Sequence, residues 1–350
     1  MLHQTNMEDF MQNTERLSQY YEFDDTTLDV VTETAEKLRS FPDWNSMYSD
    51  FQSSRSHAHM HETTVSPQYG FPIKLIDIIP VEAESTMIYH LPMGNSIDEN
   101  MQARLMALST ALPNTRIIAS SNPAHPLAKG GKLYKSDRDR VSKGIFRDTI
   151  EPILFYAHTQ KINTADQVGY SYGADKAVST ASLANGFDIQ TPNLIPIEPA
   201  SVLPRSLGKL GSDFLSSNSE LKRYVKASEM PAYEDARKIA SRKQGGLIGY
   251  TLGLLRLSNV AISKGIASGK FEQNLTSVIR RCPETNSTLI WGTESELSIN
   301  GIMKALSSRL GKTFGDQRFQ SMPIEGGHHA MGDDIFLHTA LVHQALNQTD

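Results

Sequence analysis

From residue 73 onward the chain is punctuated by short apolar runs bounded by turn residues: KLIDIIPV (74–81), STMIYHLP (85–92), TRIIASSNP (115–123), QVGYS (167–171), NLIPIEP (193–199), STLIWG (287–292) and RFQSMPIE (318–325). Each run has strand length and helix-length segments separate several of them, which predicts an α/β sheet whose strands are mostly parallel. Residues 96–112 read as a helix, with Ser96 as N-cap and Met101, Leu105, Met106 and Leu112 at helical spacing. Residues 138–160 read similarly, with Pro152 kinking or dividing the helix. A third helix follows residue 171, where Ala174, Ala177, Val178 and Ala181 are small enough to lie close on a sheet.

Two stretches fall outside this rhythm. Residues 1–55 place Leu28, Val31, Thr34 and Leu38 among acidic positions, the pattern of one or two amphipathic helices. They predict a helical extension packed on the main body, with a partner-docking arm as the sharper alternative. Between the runs at 193 and 287 no strand signal appears, and a strand-to-strand crossover needs only about 10 to 15 residues. Residues 202–285 are therefore expected to form an inserted helical subdomain, leaving 56–201 and 286–350 as the core.

Composition narrows the function classes. Across 350 residues, 34 Lys+Arg against 39 Asp+Glu give a formal net charge of −5, so nothing offers nucleic acid a basic face. The single cysteine, Cys282, excludes an intramolecular disulfide framework and is compatible with a reducing compartment. No apolar run approaches the ~20 residues of a membrane helix, and the opening MLHQTNMEDF lacks a signal-peptide pattern. A soluble, cytoplasmic protein is expected, its oligomeric state open. His57, His59 and His61 alternate as on one strand face, but only Glu62 could extend them into a ligand set, so a polar strand face is favoured and neither metal nor cofactor is expected.

The chemistry concentrates in Gly169-Tyr170-Ser171-Tyr172-Gly173, a GxSxG between a strand-like run and a helix-like one. Such a turn strains the serine backbone, lifts its hydroxyl above the sheet edge, and brings the Tyr172 amide toward a forming oxyanion. A serine hydroxyl needs a base. The last strand-like run leads into Gly326-Gly327-His328-His329, and His328, directly after the glycines, is favoured over His329. A carboxylate should orient that imidazole. Glu294 and Glu296 follow the run STLIWG, and Glu198 ends the run IPIEP.

In this chain order, serine then acid then histidine, the sequence resembles the α/β-hydrolase superfamily over residues 65 to about 347. The resemblance implies an eight-stranded, mostly parallel sheet with helices on both faces, and a helical cap in the insertion after the sixth strand. His90-Leu91-Pro92-Met93 resembles the family's His-Gly oxyanion segment, with Leu91 in the glycine's place and Pro92 lacking an amide hydrogen. Met93 or Leu91 would then supply the second oxyanion donor. The family's aspartate position, three residues past the strand-ending glycine, holds Ser295. Glu296, in a Ser-Glu-Leu stretch, is the favoured acid, ahead of Glu294 and Glu198.

A serine nucleophile selects ester, thioester, lactone or amide chemistry. Leu203, Leu207, Leu210, Phe214, Leu215 and the run 245–262, which includes Gly245, Gly246, Gly249 and Gly253, make the insertion unusually apolar. They suit either self-packing or an acyl-binding wall, and a small apolar acyl ester is the expected substrate. The reading is an esterase or lipase-like serine hydrolase. The alternative is a non-catalytic hydrolase-fold binding protein, discriminated by whether Ser171 takes a fluorophosphonate label.

Overall fold

A computed structural model describes residues 14–53, 59–65, 73–123, 132–213, 224, 226, 228–243 and 256–348. All seven apolar runs form strands: β2 (Ile73–Ile79), β3 (Ser85–His90), β4 (Thr115–Ser120), β5 (Asp166–Tyr170), β6 (Asn193–Ile197), β7 (Asn286–Gly292) and β8 (Phe319–Ile324). An eighth, β1 (His59–Val65), was not among them; its sequence HMHETTV lacks an apolar run. The sheet order is β1-β2-β4-β3-β5-β6-β7-β8. Within this sheet, antiparallel pairing occurs only where β2 meets β1 and β4, so among its strands β2 alone runs against the others.

Strand side chains alternate between two apolar layers, as period-2 geometry requires. Tyr89, Val168, Tyr170, Ile195 and Ile290 face one layer, which includes α3 (Glu99–Ala111) and α12 (Ile335–Asn347). Ile88, Leu194 and Leu289 face the other, built from α5 (Arg147–Thr159), α6 (Tyr172–Ala184), α9 (Phe271–Arg281) and α10 (Asn300–Phe314). Burial on both faces explains why these strands read as near-continuous apolar runs.

Two helix boundaries differ from the sequence expectation. The cap of α3 is Asp98, whose side chain accepts the Met101 N–H at 3.0 Å, while Ser96 lies two residues outside. The 138–160 region divides at Gly144, φ 76°, between α4 (Lys135–Val141) and α5; α5 continues through Pro152. Gly144 has the backbone angle only glycine adopts cheaply, whereas Pro152 lies in the second turn and removes one hydrogen bond without ending the helix.

The N-terminal helices α1 (Asp25–Arg39) and α2 (Trp44–Ser53) bury Leu28, Val31, Ala35, Leu38, Trp44 and Met47 in the same layer as α3 and α12. Helices of the 202–285 insertion occupy different places. α7 (Pro231–Lys243) packs beside α2 and α3, α8 (Leu257–Ala267) against α4, and α9 against α6 and α10 on the flank of the sheet. Phe214, Leu215 and residues 244–255, with their four glycines, lie outside the described residues. Among the described residues, no helix is long and apolar enough to cross a membrane.

Candidate active site

Ser171 stands between β5 and α6 at φ 59°, ψ −123°. Such a conformation costs a serine on the order of 1–3 kcal/mol and persists only where its surroundings hold it. They do: the Ser171 N–H donates to the Ile197 carbonyl on β6 at 2.9 Å, and its own carbonyl accepts from Ala174 at 2.9 Å. Both flanking glycines are sterically required. A Cβ on Gly169 would overlap the Gly173 carbonyl, and one on Gly173 would overlap the His90 carbonyl at the end of β3. The second approach holds the segment after β3 against the start of α6.

Three neighbouring strands end at the same edge. Glu198, directly after β6, has φ 51° and no solvent exposure. Its N–H donates to Ile290 on β7 at 2.7 Å, and its carboxylate accepts from the Gly292 N–H at 2.7 Å and from the Ser295 hydroxyl. Oε1 lies 3.4 Å from His328 Nδ1. His328 follows Gly326 (φ 125°) and Gly327, opens the short helix α11 (His328–Asp333), and is 3% exposed. Its ring stacks on Tyr170, with centroids 5.0 Å apart, and the Tyr170 hydroxyl donates to the His328 carbonyl at 2.8 Å. Burial holds the imidazole below its ordinary value, the Glu198 carboxylate opposing that shift.

Of the three candidate acids, the structure brings Glu198 to the imidazole and leaves Glu294 and Glu296 apart from it. Glu294 and Glu296 are both exposed, whereas the buried Glu198 carries the carboxylate beside Nδ1. The physical reason is Ser295: at the position where the family's aspartate is expected, its hydroxyl donates to Glu198 while accepting from the Leu297 and Ser298 amides at 3.1 and 3.2 Å. The loop after β7 thus holds the carboxylate that follows β6.

His329 faces elsewhere. Its Nδ1 lies 2.6 Å from Asp333 Oδ2, and Asp333 Oδ1 accepts from buried Arg104 on α3 at 2.5 Å. Arg104 also donates to the Gly332 carbonyl and to the Tyr233 hydroxyl of α7, at 3.0 Å for the latter. The guanidinium draws the Asp333 carboxyl far below the usual carboxylate range against the opposing effect of burial. This buried ion pair anchors α11 from below, a function the sequence reading missed because its partners lie 229 residues apart.

Of the residues expected to face an oxyanion, Tyr172 opens α6 and is buried, while Leu91 and Met93 lie in the segment after β3. His90 turns into the sheet, its Nε2 3.0 Å from Gln167 Oε1, and burial pushes it down to about 3, leaving a neutral imidazole. Of the histidines set aside as a strand face, His57 lies outside the described residues, as does the side chain of His59, and His61 is exposed. Glu62 contacts Lys74 at 2.7 Å and accepts from Gln102.

No family model and no curated protein matches the chain. Solved structures do. A serine hydrolase from the polyaromatic hydrocarbon-degrading bacterium Cycloclasticus zankles is similar at TM-score 0.55 and 15% identity, covering 82% of this chain and 98% of that one. An esterase of Pyrococcus furiosus is similar at TM-score 0.53 and 11% identity, covering 83% and 91%. At these identities the likeness is one of fold, and with the strand order and elbow above it defines the class: the chain has the α/β-hydrolase fold.

Proposed function

We propose that the chain is a serine hydrolase of carboxylic esters, with Ser171 as nucleophile, His328 as base and Glu198 as the orienting acid. The observation that carries this reading is the strained backbone of Ser171 above the ends of β5 and β6, with a buried carboxylate in place beside a buried imidazole. Ser171 attacks the acyl carbon as His328 takes the hydroxyl proton, and Glu198 balances the imidazolium that forms. The Tyr172 amide, at the positive end of the 13-residue helix α6, donates to the oxyanion, with a second donor from the segment after β3. Collapse of the tetrahedral intermediate expels the alcohol, protonated by His328. Water activated by the same imidazole then hydrolyses the acyl-enzyme.

Tyr172, Phe146, Leu210, Ala261 and Ile262 form one apolar cluster with Met93 at its edge. This apolar packing around Tyr172 and Met93 is the ground for proposing an apolar acyl group over a charged one. The test is labelling by a fluorophosphonate together with hydrolysis of p-nitrophenyl butyrate, both of which should vanish in Ser171→Ala at an unchanged melting temperature. A folded wild-type protein that neither labels nor hydrolyses would instead be a non-catalytic binding protein.

A further inference from the structure

Beneath the oxyanion segment lies a buried polar pair that the steps above do not use. Lys176, on α6 five residues past the nucleophile, has no solvent exposure, and its Nζ donates to Asn122 Oδ1 at 3.1 Å. Burial lowers its ammonium to about 7. As the ammonium, Lys176 carries donors only, so it takes the carboxamide oxygen, and the three carbonyls on the other side call for the Nδ2 group. The Nδ2 group is thereby turned to the segment after β3, where it meets the carbonyls of Pro92 at 2.5 Å, Asn95 at 3.3 Å and Leu91 at 3.4 Å. The Asn122 backbone N–H adds a contact to the Asn95 carbonyl at 3.5 Å.

The consequence follows from peptide geometry. No peptide bond among the described residues is cis. In a trans peptide the carbonyl and the following N–H point in opposite directions. With the Pro92 carbonyl held on Asn122, the Met93 N–H must point away from Asn122. Proline's missing N–H removes the only competing donor between Leu91 and Met93.

We infer that Lys176 and Asn122 are positioning residues that lock the Pro92–Met93 peptide and so make the Met93 amide, rather than that of Leu91, the second oxyanion donor. This rests on the serine hydrolase reading. Sequence alone hides the pair, since Lys176 sits in a helix of small residues and Asn122 in an ordinary-looking Ser-Asn-Pro turn.

The experiment uses the full chain with p-nitrophenyl butyrate as substrate and an alkyl trifluoromethyl ketone as the probe of the oxyanion site. Asn122→Leu and Lys176→Met should each lower kcat about 10²-fold and weaken the ketone by a similar factor, with KM within about threefold of wild type. The double variant should lose little beyond either single one, because both act on the same peptide. A folded variant of either kind that keeps kcat and ketone affinity within about threefold overturns the inference, as does a loss carried by KM alone. Should Asn122→Leu not fold, Lys176→Met, which removes a buried charge, decides the matter. A wild-type protein that neither labels nor hydrolyses refutes the hydrolase reading, whereas an active wild type with unaffected variants refutes only this inference.

Discussion

Replacing Glu198 with glutamine keeps the side chain's size and removes its charge. Burial shifts His328 toward its neutral form, so in the resting site the imidazole itself loses little when the charge goes. The charge matters when the imidazole takes the serine proton. An imidazolium 3.4 Å from Glu198 Oε1 gains about 5 kcal/mol at an effective dielectric constant near 20, a rate factor of roughly 10³ to 10⁴. A second effect reinforces the first. The two carboxylate oxygens accept from Gly292 N–H and from Ser295, and a carboxamide can accept on one side only. Its NH₂ group must oppose a donor, costing about 1–3 kcal/mol of stability, or face Nδ1 and favour the wrong tautomer. Measuring kcat/KM on p-nitrophenyl butyrate together with the melting temperature reads both effects. Glu294→Gln and Glu296→Gln should stay within about threefold of wild type. A Glu198→Gln protein within about tenfold of wild type, or a collapse confined to Glu296→Gln, would refute the reasoning.

The acid limb of kcat/KM should have its midpoint below the ordinary histidine value of about 6.5, since burial outweighs Glu198, and in Glu198→Gln residual activity should show it lower still; a midpoint above 7 would contradict this. Activity is lost as pH falls through that midpoint, because the protonated imidazole cannot act as base. Gly173→Ala should abolish activity and destabilise by about 3 kcal/mol or more, the added Cβ overlapping the His90 carbonyl; chemical denaturation measures it. His329→Ala should retain most of kcat, in contrast to His328→Ala, and a reversal of that order in steady-state kinetics would exchange their assignments. Arg104→Met should cost about 3–5 kcal/mol by leaving Asp333 buried without its guanidinium, again read by denaturation.

The sheet was legible in the sequence because six of its strands are covered on both faces and so appear as apolar runs; β1, whose described side chains are largely exposed, carries no such signature. Ser171 and the histidine loop were legible because glycines mark them, and those glycines serve close approach at Gly173 and a positive φ at Gly326. The acid was not. β6 and β7 are hydrogen-bonded neighbours ending at the same edge, so a carboxylate after either can face the imidazole, and only side-chain packing decides. One signal was present: Glu198 ends an apolar run and is followed by proline, an unusual place for an acid with no task, whereas Glu294 and Glu296 sit in the polar Thr-Glu-Ser-Glu stretch. Ser295 in the aspartate's usual place pointed the same way.

The hydrogen bond from Ser171 to Ile197 has a further consequence. It joins the nucleophile to the residue immediately before Glu198, so serine and acid ride on one stretch of hydrogen-bonded sheet. Their separation is therefore fixed as rigidly as the register of β5 on β6. The imidazole is held by side-chain contacts instead, its ring on Tyr170 and the His328 carbonyl on the Tyr170 hydroxyl, with α11 braced by Arg104 and Asp333. On the proposed assignment the imidazole is the one member held by side chains and not by the sheet ladder. Heat inactivation that precedes global unfolding should then originate at the histidine, and a crosslink from α11 to α3 should delay it where one between β5 and β6 would not.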